Sequence, residues 1–253
     1  MNTVTVKNVV FNQGKPKICV PIVSETKEAI LNDLELVNAL ECDVIEWRID
    51  HFKDVTNLEE LVSIAKEVHE KVKDKVLLTT FRSFKEGGVR DISDETYQKI
   101  YQELIKHKLT DMLDVELFMP EEIVEALIKD AKAQDIKVIL CNHDFDKTVS
   151  KEEIIHRLKL MQDKGADLCK IALMPKSRQD VLTLLEATLE MLENHATCPL
   201  ITMSMGGLGA ISRISGEVFG SAMTFGVGTV ASAPGQISVD ALNQTLNMLH
   251  EAL

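Results

Sequence analysis

The stretch Asp167-Leu-Cys-Lys-Ile-Ala-Leu173, together with the helical segment Ser177 to Glu193 that follows it, decides the fold. Its first part is a short apolar run of the length typical of a buried strand, and its second part repeats apolar residues at helical spacing. Units of this kind recur about every thirty residues along the chain. Strict alternation of strand and helix predicts right-handed crossovers and a parallel sheet.

This pattern predicts eight strands and seven helices. The strands are Ile18 to Val23, Asp43 to Ile49, Val76 to Arg82, Met112 to Leu117, Lys137 to His143, Asp167 to Leu173, Leu200 to Ser204 and Ala222 to Val227. The helices are Thr26 to Leu40, Leu58 to Lys71, Glu95 to Lys106, Glu121 to Ala133, Lys151 to Lys164, Ser177 to Glu193 and Val239 to Leu253. Eight units in 253 residues favour a closed (β/α)8 TIM barrel over an open doubly wound sheet. No glycine fingerprint of a dinucleotide-binding fold follows the first strand.

The segments outside these units are short. Val4, Val6, Val9 and Phe11 precede Asn12-Gln-Gly14, which predicts a β-hairpin that closes the barrel floor. The link after the seventh strand is Gly-rich and receives no regular helix. No linker or repeat divides the chain, so residues 1–253 are expected to form one barrel domain.

Composition excludes several classes of protein. The chain has 28 basic and 40 acidic residues and a net charge of −12, which disfavours nonspecific binding to nucleic acid or to an anionic membrane. No signal-peptide pattern is present and no segment approaches the roughly 20 apolar residues of a membrane span, so a cytoplasmic protein is expected. An odd number of cysteines without a CxxC pair predicts buried free thiols. They are Cys19, Cys42, Cys141, Cys169 and Cys198.

Polar side chains collect on one face of consecutive strands. Because strand side chains alternate between faces, Val44, Glu46 and Arg48 share the face opposite Ile45, Trp47 and Ile49. The same alternation groups polar residues of the next strands with them. These are Thr80, Arg82, Asp114, Glu116, His143 and Lys170. Barrel lumens normally fill with aliphatic residues, and active sites lie where the strands end. The pattern therefore predicts a functional site at the carboxyl ends of the strands.

Lys170 is the strongest lead to the chemistry, since an ammonium group in a buried strand is costly unless it is paired or loses its proton. A neutral lysine attacks carbonyl carbons, and a nearby histidine is the natural base for a Schiff-base mechanism. Burial and neighbouring cations would lower the pKa of Lys170, whereas Glu46, Asp114 and Glu116 would raise it. A structural interpretation stays open, in which Glu46 pairs with Arg48 and Lys170 with Glu116.

The chain resembles the type I 3-dehydroquinate dehydratases, which are Schiff-base barrel enzymes. The local signature is Asp114-Val-Glu-Leu117, then Val138-Ile-Leu-Cys-Asn-His-Asp144, then Lys170 in its strand. Further matches complete the set. They are Glu46-Trp-Arg48, Thr80-Phe-Arg82, Arg213 and Ser232-Ala-Pro-Gly-Gln236. An ordered set of this kind, from the second strand to the last loop, is specific although its single pieces are weak.

The resemblance implies a role for each matched residue in the dehydration of 3-dehydroquinate to 3-dehydroshikimate, a step of the shikimate pathway. Lys170 would form the imine, His143 would act as general acid and base, and Glu86 would orient His143. Without the resemblance, Glu86 is expected to be an exposed loop carboxylate. Substrate contacts would come from ten more residues. These are Glu46, Arg48, Arg82, Arg213, Ser232, Gln236, Met203, Met205, Phe225 and Ala233. Thr229 to Ser238 would form a lid.

We expect no cofactor and no metal, the net charge disfavours a nucleic-acid partner, and the resemblance implies a homodimer. Cys141, His143 and Asp144 lie close in sequence, but they span both strand faces and make a poor ligand set. Two alternatives remain open. Gly206-Gly-Leu-Gly209 suits a phosphate cradle in a class I aldolase or transaldolase that acts on a phosphosugar. A non-catalytic barrel that binds a sugar acid is the second.

Overall fold

A computed structural model describes residues 2–228, 230 and 232–253. Its strands are β1 (Val4–Val6), β2 (Val9–Phe11), β3 (Lys17–Ile22), β4 (Val44–Arg48), β5 (Val76–Thr80), β6 (Met112–Glu116), β7 (Lys137–Asp144), β8 (Leu168–Leu173), β9 (Leu200–Ser204), β10 (Met223–Val227) and β11 (Ile237–Ser238). Its α-helices are α1 (Lys27–Asn38), α2 (Leu58–Val72), α3 (Asp94–Lys106), α4 (Glu121–Ala133), α5 (Lys151–Asp163), α6 (Arg178–Glu190), α7 (Ala210–Ile214), α8 (Gly216–Phe219) and α9 (Val239–Ala252). All eight predicted barrel strands and all seven predicted helices are present.

The strands β3 to β10 form a curled parallel sheet, in the order β10-β3-β4-β5-β6-β7-β8-β9. The barrel closes between β9 and β10 through a parallel bridge from Leu200 to Ser221. There the Ala222 N–H donates to the Leu200 carbonyl at 2.7 Å, and the Thr202 N–H donates to Ser221 Oγ at 3.0 Å. The predicted (β/α)8 barrel is confirmed. One prediction is corrected: Ile237 and Ser238, assigned to the lid loop, form β11, which pairs with β10 and adds a ninth strand.

Two apolar layers lie on opposite faces of the sheet, as strand alternation predicts. Ile45, Trp47 and Ile49 belong to the outer cluster between sheet and helices. Val44 belongs to the inner cluster. The β1–β2 hairpin contributes Val6, Val9 and Phe11 to this inner cluster, beside residues at the amino ends of the strands. The hairpin therefore closes the barrel floor and leaves the opposite end of the lumen for the site.

Side-chain caps fix where the helices begin at the carboxyl side of the barrel. In six helices the N-cap side chain accepts the N–H of the residue three positions later, an interaction worth about 1 kcal/mol each. The caps are Thr26, Asn57, Ser93, Ser150, Ser177 and Ser238. Because these residues follow the strand ends, they also fix the loops that surround the lumen. The Gly-rich link after β9 holds only the short helices α7 and α8.

The five cysteines are free and buried, which confirms the prediction from their number and spacing. The Cys169 and Cys198 sulfurs lie 3.4 Å apart without a bond between them. Within the described ranges, none of the helices is long and apolar enough to cross a membrane.

Candidate active site

A cavity opens at the carboxyl ends of the barrel strands, and both polar and apolar side chains line it, as in small-molecule sites. All thirteen predicted site residues line it, and three more lining residues were not predicted. The wall consists of Glu46, Arg48, Arg82, Glu86, Gly87, His143, Phe145, Lys170, Ala172, Met203, Met205, Arg213, Phe225, Ser232, Ala233 and Gln236. The structure thus brings residues from five strands, four loops and helix α7 to one place.

Lys170 projects into this cavity from β8 and is only 3% exposed. Its Nζ donates to Asp114 Oδ2 at 2.8 Å and lies 4.6 Å from the centre of the Phe225 ring. Burial by itself would lower the pKa of Lys170, but the negative charges of Asp114 and Glu46 outweigh burial and raise it. The sequence left these opposing effects on the pKa unresolved, and the structure favours the ammonium form of Lys170 at rest.

Asp114 forms salt bridges with both Arg82 and Lys170 beneath the cavity. Burial would raise its pKa, but Arg82 and Lys170 lower it far below the ordinary value. Arg82 also donates to Glu116 Oε1 at 2.9 Å, and Cys141 Sγ donates to Asp114 Oδ1 at 2.8 Å. The structural interpretation that pairs Lys170 with Glu116 is corrected, because Lys170 and Arg82 both bond to Asp114. Buried charges persist here because each one has a partner of opposite sign.

His143 and Glu86 form the second functional group of the site. His143 Nδ1 lies 2.9 Å from Glu86 Oε2, and the His143 backbone N–H donates to the same oxygen at 2.9 Å. Burial raises the pKa of Glu86 to about 7, although Arg82 opposes this rise. Burial lowers the pKa of His143 well below 6.5, and Arg82 and Lys170 lower it further. His143 is therefore neutral near pH 7, with its Nε2 available to a ligand.

Glu86 is 6% exposed, so the expectation of an exposed loop carboxylate is wrong. The loop folds back because Gly88 packs on the backbone: a Cβ there would lie 1.9 Å from the Arg82 carbonyl oxygen. Gly87 has φ +85° and lies under the Phe145 ring, which a Cβ would approach to 2.3 Å. The two glycines are evident in the sequence, but the groups that they pack against are not. Their close packing turns the Glu86 carboxylate toward the cavity.

Glu46 and Arg48 do not pair with each other, which corrects the structural interpretation of these two residues. Arg48 makes a two-pronged salt bridge with buried Asp50, with both N–O distances 2.8 Å. Glu46 instead accepts a hydrogen bond from Thr80 Oγ1 at 2.8 Å. Both side chains still line the cavity. The carboxylate of Glu46 and the guanidinium of Arg48 are thus both available to a ligand in the cavity.

Arg213 lies on α7 and is 1% exposed. Its Nη2 donates to the Pro234 carbonyl at 3.0 Å, and its Nε is buried without a hydrogen bond. Burial lowers the pKa of Arg213 to about 10. Among the described residues no carboxylate forms a salt bridge with it. A buried guanidinium of this kind is complementary to an anionic group on a ligand.

The lid residues that the structure describes lie over the cavity; Thr229 and Ala231 of the predicted lid are outside the described residues. Ser232 and Gln236 bond to each other, with Gln236 Nε2 donating to Ser232 Oγ at 3.0 Å. The Gly206 N–H donates to the Pro234 carbonyl at 3.1 Å. That N–H is therefore taken by the lid in this conformation, which weakens the interpretation of Gly206–Gly209 as a phosphate cradle.

Glu86, Cys141 and His143 could offer ligand atoms within 4.8 Å of one another, a group that the sequence did not reveal. A cation already lies among them: Arg82 Nη1 is 3.5 Å from Glu86 and 3.1 Å from Cys141 Sγ. Burial also raises the pKa of the Cys141 thiol well above its usual value. A divalent ion would need that thiol as a thiolate beside a buried guanidinium. The group does not fit a metal site.

Gly87, Phe145 and Ala172 are the lining residues that sequence reasoning missed. Ala172 shares the lumen face of β8 with Lys170, and Phe145 has the same parity as His143. Strand alternation carried one step further would have indicated both. Gly87 gave no signal, because its place depends on the fold of the loop.

A family model described as type I 3-dehydroquinase matches residues 18–252 of the chain. The chain belongs to the type I 3-dehydroquinases. A 3-dehydroquinate dehydratase of Clostridium novyi (strain NT) is 49% identical over 253 residues, which cover 100% of both chains. The resemblance drawn from the sequence is confirmed. Family membership makes the chain an enzyme of the hydro-lyase class.

Solved type I 3-dehydroquinases share the fold. The Clostridium difficile enzyme, in a crystal structure with covalently modified comenic acid, is 47% identical and has a TM-score of 0.97. The match covers 100% of this chain and 99% of that one. The Enterococcus faecalis enzyme is 46% identical with a TM-score of 0.92, over 97% of this chain and 98% of that one.

Proposed function

We propose that the chain dehydrates 3-dehydroquinate to 3-dehydroshikimate, a step of the shikimate pathway, through an imine on Lys170 with His143 as general acid and base. The observation that carries the proposal is the position of Lys170 in one cavity with the His143–Glu86 pair and with Arg213. Full-length similarity to type I enzymes names the substrate class. The catalytic residues follow from the geometry of the cavity and from the motifs.

Binding begins with the carboxylate of the substrate. Arg213 has a buried guanidinium with a free Nε, and a carboxylate accepts two parallel N–H bonds from such a group. Glu46 and Arg48 line the opposite part of the wall and can bond ring hydroxyls. Met203, Met205 and Phe225 supply apolar contacts to the ring. The substrate is held with its ketone toward Lys170.

Covalent chemistry needs Lys170 without its proton. The free amine attacks the C3 ketone, and the proton released by the ammonium ion is taken up by the ketone oxygen. That oxygen leaves as water and an iminium ion remains, so His143 is still neutral for the next step. Asp114 stays beside the nitrogen and stabilises the positive charge of that iminium.

Elimination then proceeds from the iminium ion. His143 Nε2 removes a proton from C2, and the electron pair of that C–H bond flows into the iminium to give an enamine. The C1 hydroxyl leaves with a proton from the imidazolium, so one water is released and the ring gains its double bond. Hydrolysis of the new iminium returns the ketone and the free Lys170 amine. The lid residues Ser232, Ala233 and Gln236 line the cavity and would help to exclude solvent from these intermediates.

The rate is expected to depend on the protonation of the His143–Glu86 pair. When Glu86 is ionised it accepts the Nδ1–H of His143, and the Nε2 lone pair is free to act as a base. When Glu86 takes a proton it donates to Nδ1, and the hydrogen moves to Nε2. The value of kcat/KM should therefore fall as the pH drops below about 7. In Glu86→Gln this acid limb should move below 6.5, because only the lowered His143 pKa remains.

A steady-state pH profile of kcat/KM measures this shift, since that parameter reports the ionisations of the free enzyme. We expect kcat of Glu86→Gln to fall by about 10- to 100-fold, because the amide holds the imidazole less firmly. An acid limb that keeps its position in Glu86→Gln would contradict the assignment of the ionisation to this pair.

The reaction itself is tested by adding 3-dehydroquinate and following the absorbance of the enone product. We expect a rise in absorbance that requires the enzyme and no other component. The aldolase alternative predicts instead the cleavage of a phosphosugar, and the binding-barrel alternative predicts binding of the acid without turnover. An absence of enone under conditions where a phosphosugar is cleaved would overturn the proposed function.

A further inference from the structure

Asn142 links the active site to the outer helix layer. It lies on β7 next to His143 and is 4% exposed. Its Nδ2 donates to Glu86 Oε1 at 3.0 Å. Its Oδ1 accepts from Arg157 Nη1 at 2.7 Å. One end of this buried amide thus bonds the carboxylate of Glu86, which in turn bonds His143. The other end bonds the guanidinium of Arg157 on α5.

The two partners allow only one orientation of this amide. A guanidinium has donors and no acceptors, so the amide oxygen has to face Arg157. The amide nitrogen then faces Glu86 Oε1 and donates to it. Without Arg157, rotation by 180° would present oxygen to Glu86, and that arrangement suits only the protonated carboxyl group. By fixing the orientation of the Asn142 amide, Arg157 makes Asn142 stabilise the ionised form of Glu86.

Arg157 is itself held in place on two further sides. Its Nε donates to Glu153 Oε1 at 2.7 Å, one turn earlier on α5. Its guanidinium lies 5.4 Å from the centre of the Phe118 ring. Ser150 caps the helix and fixes where it begins. The guanidinium is thus rigidly placed although the side chain is only half-buried.

The groups around Glu86 act on its protonation in opposite directions, so each hydrogen bond to its carboxylate matters near neutral pH. Arg82 Nη1 lies 3.5 Å from Glu86 Oε2 and favours the anion. Glu116 opposes it, and burial opposes it more strongly. The Asn142 amide and the His143 backbone N–H both favour the anion. Cys141, another ionisable neighbour, is a protonated thiol.

We infer that Asn142 and Arg157 are positioning residues that keep Glu86 ionised and aimed at His143, so that helix α5 takes part in setting the His143 tautomer. Neither residue lines the cavity or touches the substrate position. They act through Glu86, which bonds Asn142 with one oxygen and His143 with the other. The inference rests on the proposed role of His143 as the base.

The test compares Asn142→Ala and Arg157→Met with Lys159→Ala, which removes an exposed cation from the same helix. Loss of the amide donor should favour protonated Glu86, so the acid limb of kcat/KM moves to higher pH by about one unit in Asn142→Ala. At pH 7 the value of kcat/KM should therefore fall by about fivefold, and at high pH it should approach that of the wild type. Arg157→Met should shift the limb in the same direction by less, and Lys159→Ala should not shift it.

A second measurement does not depend on turnover. The ¹⁵N chemical shifts of the His143 ring distinguish the Nδ1–H from the Nε2–H tautomer, and His143→Ala assigns the signals. The pH at which the two tautomers exchange should rise in Asn142→Ala and in Arg157→Met. Borohydride trapping of the substrate on Lys170 should persist in both variants, because neither residue touches Lys170.

Two results would overturn the inference. One is a loss of kcat/KM in Asn142→Ala that is equal at every pH, since that outcome indicates only a structural role. The other is an unchanged tautomer midpoint in both variants. If Asn142→Ala fails to fold, the Arg157→Met variant on the barrel exterior decides by the same readouts. A wild-type chain that does not dehydrate 3-dehydroquinate would refute the proposed function, while the tautomer measurement would still test the positioning role.

Discussion

Lys170→Ala is expected to lose dehydratase activity by about 10⁴-fold or more, because the covalent route through the iminium disappears. With 3-dehydroquinate and borohydride, the wild-type chain should gain the mass of one reduced adduct, and peptide mapping should place it on Lys170. The variant should gain none. This experiment tests the imine, the substrate class and the residue together.

The matched control is Lys176→Ala, the same substitution at an exposed lysine that follows the same strand. It should trap substrate and turn over as the wild type does. Removing Lys170 leaves Asp114 with Arg82 and Cys141 as partners, so the buried carboxylate keeps a counter-charge and the barrel should fold. Lys170→Met fills the space of the side chain without a nucleophile and checks this point. An adduct of normal yield on either Lys170 variant would refute the lysine assignment.

His143→Ala is expected to separate imine formation from elimination. Without its base the C2 proton is removed slowly, so kcat should fall by about 10²- to 10⁴-fold. The imine can still form, since Lys170 and the carboxylate site around Arg213 are unchanged. Borohydride should therefore trap substrate on the variant. The mass of the adduct should be that of the reduced imine of 3-dehydroquinate, which still carries the C1 hydroxyl.

His156→Ala provides the control, because it removes an exposed histidine from α5 that has no part in the cavity. Its turnover should match that of the wild type. Turnover of the His143→Ala variant at the wild-type rate would remove His143 from its proposed role. Loss of trapping along with turnover would instead assign His143 to the imine-forming step.

Strand alternation was enough to predict the lumen face of the barrel. Glu46, Asp114 and Lys170 stand on strands whose opposite faces carry apolar residues, and a two-residue period leaves no freedom in that choice. The same local rule predicted the β1–β2 hairpin on the floor. These features depend on neighbours along the chain, which the sequence shows directly.

The pairings within the site could not be predicted in the same way. The sequence offered Glu116 as the partner of Lys170 and Glu46 as the partner of Arg48, whereas the structure pairs Lys170 with Asp114 and Arg48 with Asp50. The partner of each charged residue depends on distances of a few ångströms between neighbouring strands. The alternation of side chains along a strand does not specify these distances. Glu86 became a site residue only through the family pattern, because its burial depends on how Gly87 and Gly88 pack.

By itself, the sequence determined the (β/α)8 order and the lumen face of the strands, since hydrophobic periodicity encodes both locally. Lining residues such as Glu86 and Arg213 came from the family pattern. Only the tertiary structure decided that Lys170 rests as an ammonium ion, that Glu86 titrates near neutral pH, and that Asn142 and Arg157 support it. The physical reason is that a buried charge responds to every group packed around it. Those groups come from strands and helices that lie far apart in the chain.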